Sequence, residues 1–191
     1  MVEYLVQNWQ DSFDQCYFVY EQIFAANFKP DVIIGVARGG WIPGRLLADF
    51  LDIKETINIK VEAYEFIGET NVEAQITQDI HTNIDGKKVL VVDDIADSGE
   101  SLLAVYNSLK ERKPVSVKTA TIYYKPHSAI KPDFYAEETT AWVIFPWELY
   151  ETMSELEQNF KSDGMPLNEI KLELKRIGLP AYMVNSYFLQ K

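Results

Sequence analysis

One run constrains this chain more than any other: KVLVVDDIADSGES, residues 88–101. KVLVV (88–92) is apolar throughout and of strand length, which reads as a strand buried on both faces in a parallel sheet. Parallel strands need a crossover, and the chain starts one at once: a polar turn, then a helical pattern from about Ser101 to Lys113, ended by Pro114. The turn carries Asp93, Asp94 and Asp97 beside Ser98, Gly99 and Ser101. Acids so crowded repel one another, so the turn calls for a cation or for a ligand that uses them.

The same alternation recurs. A short strand is expected within Val2 to Val6, and a helix from Ser12, where Ser12 and Gln15 have capping-box spacing. Its apolar stripe is Phe13, Cys16, Tyr17, Tyr20, Ile23 and Phe24. DVIIGV (31–36) reads as a strand that breaks into ARGG, followed by a helix from Ile42 to Leu51. TINIKV (56–61), VSVKTATIYY (115–124) and TAWVIF (140–145) complete the strands, and residues 62–86 look weakly structured. The fold class is α/β, a central parallel sheet with helices on both faces. The tail reads as two amphipathic helices, 149–160 and 166–177, joined by KSDGMP. The expected organisation is one domain over 1–150 with a helical extension over 151–191.

Composition narrows the partners. With 18 Lys plus Arg in 191 residues and a net charge of −11, the chain lacks the means for a basic face, so no nucleic acid is expected. An anionic substrate must be met locally, by backbone N–H groups, Mg²⁺ or a few placed cations. The single cysteine, Cys16, excludes an internal disulfide and reads as a buried structural thiol. No run reaches the ~20 apolar residues of a membrane span, and MVEYLVQNWQ has no basic leader region, so a cytoplasmic protein is expected.

In open α/β sheets ligands bind at the carboxyl ends of strands, where Asp93 to Ser101 falls. Backbone N–H groups at a helix start, a glycine for close approach and the hydroxyls of Ser98 and Ser101 make a phosphate site of Ala96, Asp97, Ser98, Gly99, Glu100 and Ser101. Asp93 and Asp94 suit hydrated Mg²⁺ or sugar hydroxyls. A ribose phosphate would satisfy both halves. Plainer readings stand beside this one: a solvated strand end, an ordinary helix cap, or the paired acids of a phospho-acceptor receiver domain.

VLVVDDIADSGES resembles the ribose-phosphate signature of type I phosphoribosyltransferases, which use 5-phosphoribosyl 1-pyrophosphate (PRPP). Serines at 98 and 101 stand where threonines are usual. The resemblance implies that family's fold: a central parallel sheet flanked by helices, a small hood and here a C-terminal helical extension. IIGVARGGWIPGRLLADFL (33–51) resembles the pyrophosphate loop, Ala37, Arg38, Gly39 and Gly40, with a non-proline cis peptide expected at Ala37–Arg38. YYKP (123–126) and WVIFPWE (142–148) resemble the base site of 6-oxopurine enzymes of the xanthine–guanine and archaeal types. That implies Lys125 on the purine O6/N7 edge, Trp142 stacked on the base, and Val143 reading the base through its backbone. Glu148 would join Asp93 and Asp94 as a metal residue, although Trp142 as core and Glu148 as a helix cap are equally open; Trp147 is assigned to packing.

The implied reaction moves 5-phosphoribosyl from PRPP, with Mg²⁺, to N9 of guanine, xanthine or hypoxanthine. It yields the nucleoside 5′-monophosphate and pyrophosphate. Asp97 would act as general base for the N7 proton, and Arg38 and Lys60 as cations for pyrophosphate. A homodimer or higher homo-oligomer is implied. Alternatives are a non-catalytic PRPP- or nucleotide-sensing regulator and a transferase for another base. One departure is plain: between Lys60 and Lys87 there is no Lys or Arg, only acids at Glu62, Glu65, Glu69, Glu73, Asp79 and Asp85.

Overall fold

The structure, a computed structural model, describes residues 2–65 and 72–189. The chain divides into two compact units, Phe13–Thr140 and Met1–Ser12 with Ala141–Lys191. In chain order the elements are β1 (Tyr4–Val6), α1 (Trp9–Ala25), β2 (Val32–Ala37), α2 (Trp41–Phe50), β3 (Thr56–Glu65) and β4 (Val72–Gln78). There follow β5 (Lys88–Val92), β6 (Ile95–Ala96), α3 (Glu100–Lys110), β7 (Ser116–Tyr124), β8 (Phe134–Glu138), β9 (Trp142–Ile144), α4 (Leu149–Ser162), α5 (Leu167–Ile177) and α6 (Ala181–Leu189).

The larger unit is built on a seven-stranded sheet in the order β4-β3-β2-β5-β7-β6, with β8 also paired to β7. Every pairing is parallel except the β3–β4 hairpin. Period-two alternation divides the strand residues between two cores. Val32, Ile34, Val36, Val89 and Val91 pack with Leu102, Val105 and Leu109 of α3. Ile33, Leu90 and Val92 pack with Val19 and Ile23 of α1 and with Leu47 and Ala48 of α2. Cys16 is buried as expected, and burial pushes its thiol up to about 12.

The smaller unit pairs β1 with β9 in parallel, Leu5 facing Val143. Its core joins Ile144 to Met153, Leu156, Ile170, Leu174, Leu179 and Val184 of the tail. Glu157, 2% exposed, accepts from the Tyr187 hydroxyl at 2.7 Å and from Lys161 Nζ at 2.6 Å. The tail therefore buries its stripe with the chain start and β9, and compactness divides the chain elsewhere than the expected 150/151 boundary.

Local departures have local causes. α1 starts at Trp9 rather than Ser12, because Asn8 Oδ1 accepts the Asp11 N–H at 2.9 Å and takes the capping role; Ser12 is interior and buried. Within the weakly patterned 62–86, VEAQITQ alternates enough to form β4 against β3. TAWVIF gives only the short β9, which pairs with β1 instead of joining the large sheet. β6, β8 and α6 carry little periodic signal; α6, AYMVNSYFL, is apolar nearly all round.

Candidate active site

The site grows from one interruption in a strand. β5 stops at Val92 opposite Ala120, and β6 resumes on β7 in the same register, Ile95 opposite Tyr123. Between them the backbone stays tied to β7: Asp93 N–H donates to the Ala120 carbonyl at 3.1 Å, and the Ile122 and Tyr123 N–H groups both donate to the Asp94 carbonyl. Two carboxylates are thereby fixed at the carboxyl end of the central strand.

The second loop is brought directly against them. β2 ends at Ala37, the Ala37–Arg38 peptide is cis as expected, and Gly39 and Gly40 lead into α2. A Cβ on Gly39 would fall on the buried Asp94 carboxyl group, and a Cβ on Gly40 would fall on the Val92 carbonyl and the Val36 backbone. Only glycines allow this approach. Arg38 is exposed at the loop. Lys60 sits on the adjacent strand, opposite Ala37, and its Nζ is 2.5 Å from Glu62 Oε1. The second expected cation is thus present beside the loop but held by an acid of its own strand. Of the expected acidic segment, residues 66–71 with Glu69 lie outside the described residues.

Asp93 is the electrostatic signature of the junction. Its carboxyl is pushed well above the usual carboxylate range, first by burial and then by the neighbouring Asp94 charge; the backbone N–H groups of Asp94 and Gly40 oppose the shift. A carboxyl raised in the folded state costs stability above its folded pKa and recovers it as the pH falls toward the ordinary carboxylate value. Asp93→Asn is therefore expected to melt above the ligand-free wild type at neutral pH, with the gap closing on acidification. Calorimetry at both pH values checks this, and a lower melting temperature at neutral pH counts against it.

The expected phosphate loop completes the centre. Gly99, buried and at φ 78°, is the N-cap of α3, where only glycine turns without strain. The first N–H groups of α3 lack intrahelical acceptors by geometry, which suits an anion. Ser98 and Glu100 are exposed, so Glu100 turns outward. A further turn is stitched to this loop: Lys125 N–H donates to the Ala96 carbonyl at 3.0 Å and Ala129 N–H to the Ser98 carbonyl at 2.7 Å. The stitching sets Lys125 Nζ, on a side chain only 11% exposed, 2.6 Å from Asp97 Oδ2. His127, which the sequence reading passed over, places Nε2 3.2 Å from Asp97 Oδ1. Its only signal was its position two residues after Lys125.

Trp142, Val143 and Glu148 belong to the smaller unit. Trp142 is half-buried with its ring 6.5 Å from Tyr4, and Val143 is buried. Glu148 stands at the N-cap of α4 without a side-chain cap bond; its Oε1 accepts the Phe145 N–H at 3.1 Å instead. Trp147 stacks on Phe145, ring centroids 4.7 Å apart, in line with a packing role. Among the described residues no group of three or more His, Cys, Asp or Glu gathers as a metal cage, and no helix is long and apolar enough to cross a membrane.

Comparison with known proteins gives the family. The chain is 32% identical over 120 residues to the xanthine-guanine phosphoribosyltransferase of Idiomarina loihiensis, covering 62% of this chain and 71% of that one. The crystal structure of the purine phosphoribosyltransferase of Pyrococcus horikoshii superposes with a TM-score of 0.69 at 34% identity, covering 75% and 93%. The Helicobacter pylori xanthine-guanine-hypoxanthine phosphoribosyltransferase gives 0.68 at 25%, covering 84% and 99%. Residues 6–152 match the phosphoribosyl transferase domain, and the chain belongs to that family of transferases.

Proposed function

We propose that this chain transfers 5-phosphoribosyl from PRPP to N9 of a 6-oxopurine in purine salvage in the cytoplasm. The products are the nucleoside 5′-monophosphate and pyrophosphate. The observation that carries the base class is the Lys125–Asp97 pair, an ammonium and a carboxylate 2.6 Å apart. The edge of a 6-oxopurine presents O6 as acceptor and N7–H as donor, the complement of that pair. An amino group at C6 would face the ammonium donor to donor.

In this reading each residue has a role that the geometry supports. The loop Ala96–Ser101 takes the 5′-phosphate on the start of α3. Asp93 and Asp94 hold the ribose hydroxyls, and Arg38, Lys60 and the Ala37–Gly40 backbone receive the pyrophosphate. Lys60 does so by exchanging Glu62 for the incoming anion. Catalysis is then mainly positioning and stabilisation of the charge that leaves with pyrophosphate. As N9 bonds to C1′ and pyrophosphate departs with its electron pair, Asp97 accepts the N7 proton.

Mg²⁺ fits the donor set. Two hard carboxylates, one strained by burial and by its neighbour, match an ion usually held by one or two carboxylates plus substrate oxygens. When bound it neutralises pyrophosphate charge. The base-stacking role of Trp142, the backbone reading at Val143 and the metal role of Glu148 rest on the sequence resemblance, as does a homodimer.

The test is pyrophosphate release from PRPP with Mg²⁺ and, singly, guanine, xanthine, hypoxanthine, adenine, uracil and orotate. Turnover with one or more of the first three and none of the others is expected. PRPP binding without release with any base would mark a sensor, and adenine as the preferred acceptor would overturn the Lys125 assignment.

A further inference from the structure

We propose that His127 is a positioning residue that fixes the carboxylate of Asp97 for the purine proton. The inference rests on the reading of Asp97 as the N7 proton acceptor and adds a group that neither motif nor resemblance assigns.

The geometry begins with a turn. The Ser128 N–H donates to the Lys125 carbonyl at 3.0 Å, so Lys125–Pro126–His127–Ser128 is a β-turn with proline at its second position, where its fixed φ is favoured. Both sides of the turn are tied to the phosphate loop through Ala96 and Ser98. A Cβ on Gly99 would strike Ser128 Oγ and the Ala129 and Ile130 nitrogens, so the two segments lie in backbone contact. His127 is thus presented to Asp97 by main-chain geometry rather than by packing of its own ring, which is 64% exposed.

The result is a carboxylate gripped at both oxygens, Lys125 Nζ on Oδ2 at 2.6 Å and His127 Nε2 on Oδ1 at 3.2 Å. A carboxylate paired to an ammonium can only accept, so Nε2 carries the hydrogen and donates. The two grips have different fates when a 6-oxopurine binds. Lys125 turns part of its donor capacity to O6, which releases Oδ2. With Oδ2 released, a carboxylate on two rotatable side-chain bonds would swing. His127 keeps Oδ1 engaged and leaves Oδ2 facing N7–H. In the step itself the N7–H bond breaks and the Oδ2–H bond forms, while C1′–N9 forms and C1′–O breaks toward pyrophosphate. His127 gains and loses no proton. An exposed turn histidine adds little to folding, so its effect belongs to the reaction.

The experiment is single-turnover conversion of PRPP and the preferred base by full-length protein. It compares His127→Ala, His127→Gln, Asp97→Asn and the double variant Asp97→Asn/His127→Ala. Loss of one hydrogen bond to a charged group predicts a rate about tenfold lower for His127→Ala, with base affinity and melting temperature close to wild type. Glutamine carries an N–H donor on a side chain of similar reach, and His127→Gln is expected to recover most of the rate. In the Asp97→Asn background His127→Ala should change nothing further, since both residues act through one carboxylate. A wild-type rate for His127→Ala while Asp97→Asn is slow overturns this proposal alone. Losses that multiply in the double variant also overturn it. A wild-type rate for Asp97→Asn overturns the proton-acceptor reading and this proposal with it.

Discussion

Asp97→Asn is expected to slow the chemical step with 6-oxopurines by about 10²–10⁴-fold, the usual range for loss of a placed general base. The amide keeps the shape and one acceptor oxygen, so it can still face Lys125, but it cannot take the N7 proton. Stability should change little. Asp97 is 53% exposed, and an ion pair open to water on one side contributes about 1 kcal/mol or less. Removing Lys125 instead would take the cation from the O6 side and should raise the KM for the base as well as lower the rate. Product release commonly limits turnover in enzymes that sequester their substrates, so a steady-state kcat would hide part of the loss. Rapid-quench measurement of the first turnover is the appropriate check. A first-turnover rate near wild type in a folded Asp97→Asn protein would remove Asp97 from the proton transfer.

The adjacent glycines should separate stability from activity. At Gly40 the three atoms nearest an added methyl are all backbone, the Val92 carbonyl oxygen and the Val36 nitrogen and oxygen. Neither strand can yield, because both are held in the central ladder between β3 and β7. Overpacking against immovable atoms puts Gly40→Ala at about 3 kcal/mol of lost stability or more, with activity lost alongside. At Gly39 the added methyl meets the Asp94 carboxyl, a side chain that can rotate away. Gly39→Ala should therefore cost about 1 kcal/mol in stability. With Asp94 in its proposed ribose role, displacing it should still cost on the order of 10²-fold in kcat/KM for PRPP. Denaturant melts and PRPP kinetics on the two variants check the contrast. Equal stability losses would mean that the loop, not the strands, absorbs the strain at both positions.

Much of this was legible in the sequence because it is local. KVLVV is apolar at every position and became β5 with the bounds read from it; the DDIADSGES turn and ARGG fell at strand ends followed by helices. What was missed lacked a local period or depended on a distant partner. β6 has two residues and β8 is half polar, and both exist because β7 offers them hydrogen bonds. Ser12 had the right spacing for a cap, but Asn8 stood one turn earlier with an equally good acceptor. The tail helices were visible as amphipathic stripes, whereas their burial with β1 and β9 was not, since nothing in a stripe names what covers it.

The same division runs through the site. By itself the sequence determined the chemical inventory: paired acids at a strand end, a glycine-hinged loop at a helix start, an Arg-Gly-Gly turn and a Lys-Pro turn, each a short-range pattern fixed by backbone sterics and hydrogen-bonding capacity. Only the tertiary structure decided which of these groups meet. It set Gly39 against Asp94 and closed Lys125 and His127 on the two oxygens of Asp97. Those meetings depend on strand order and register, set by the burial of whole faces across the chain, and no short stretch of residues encodes them.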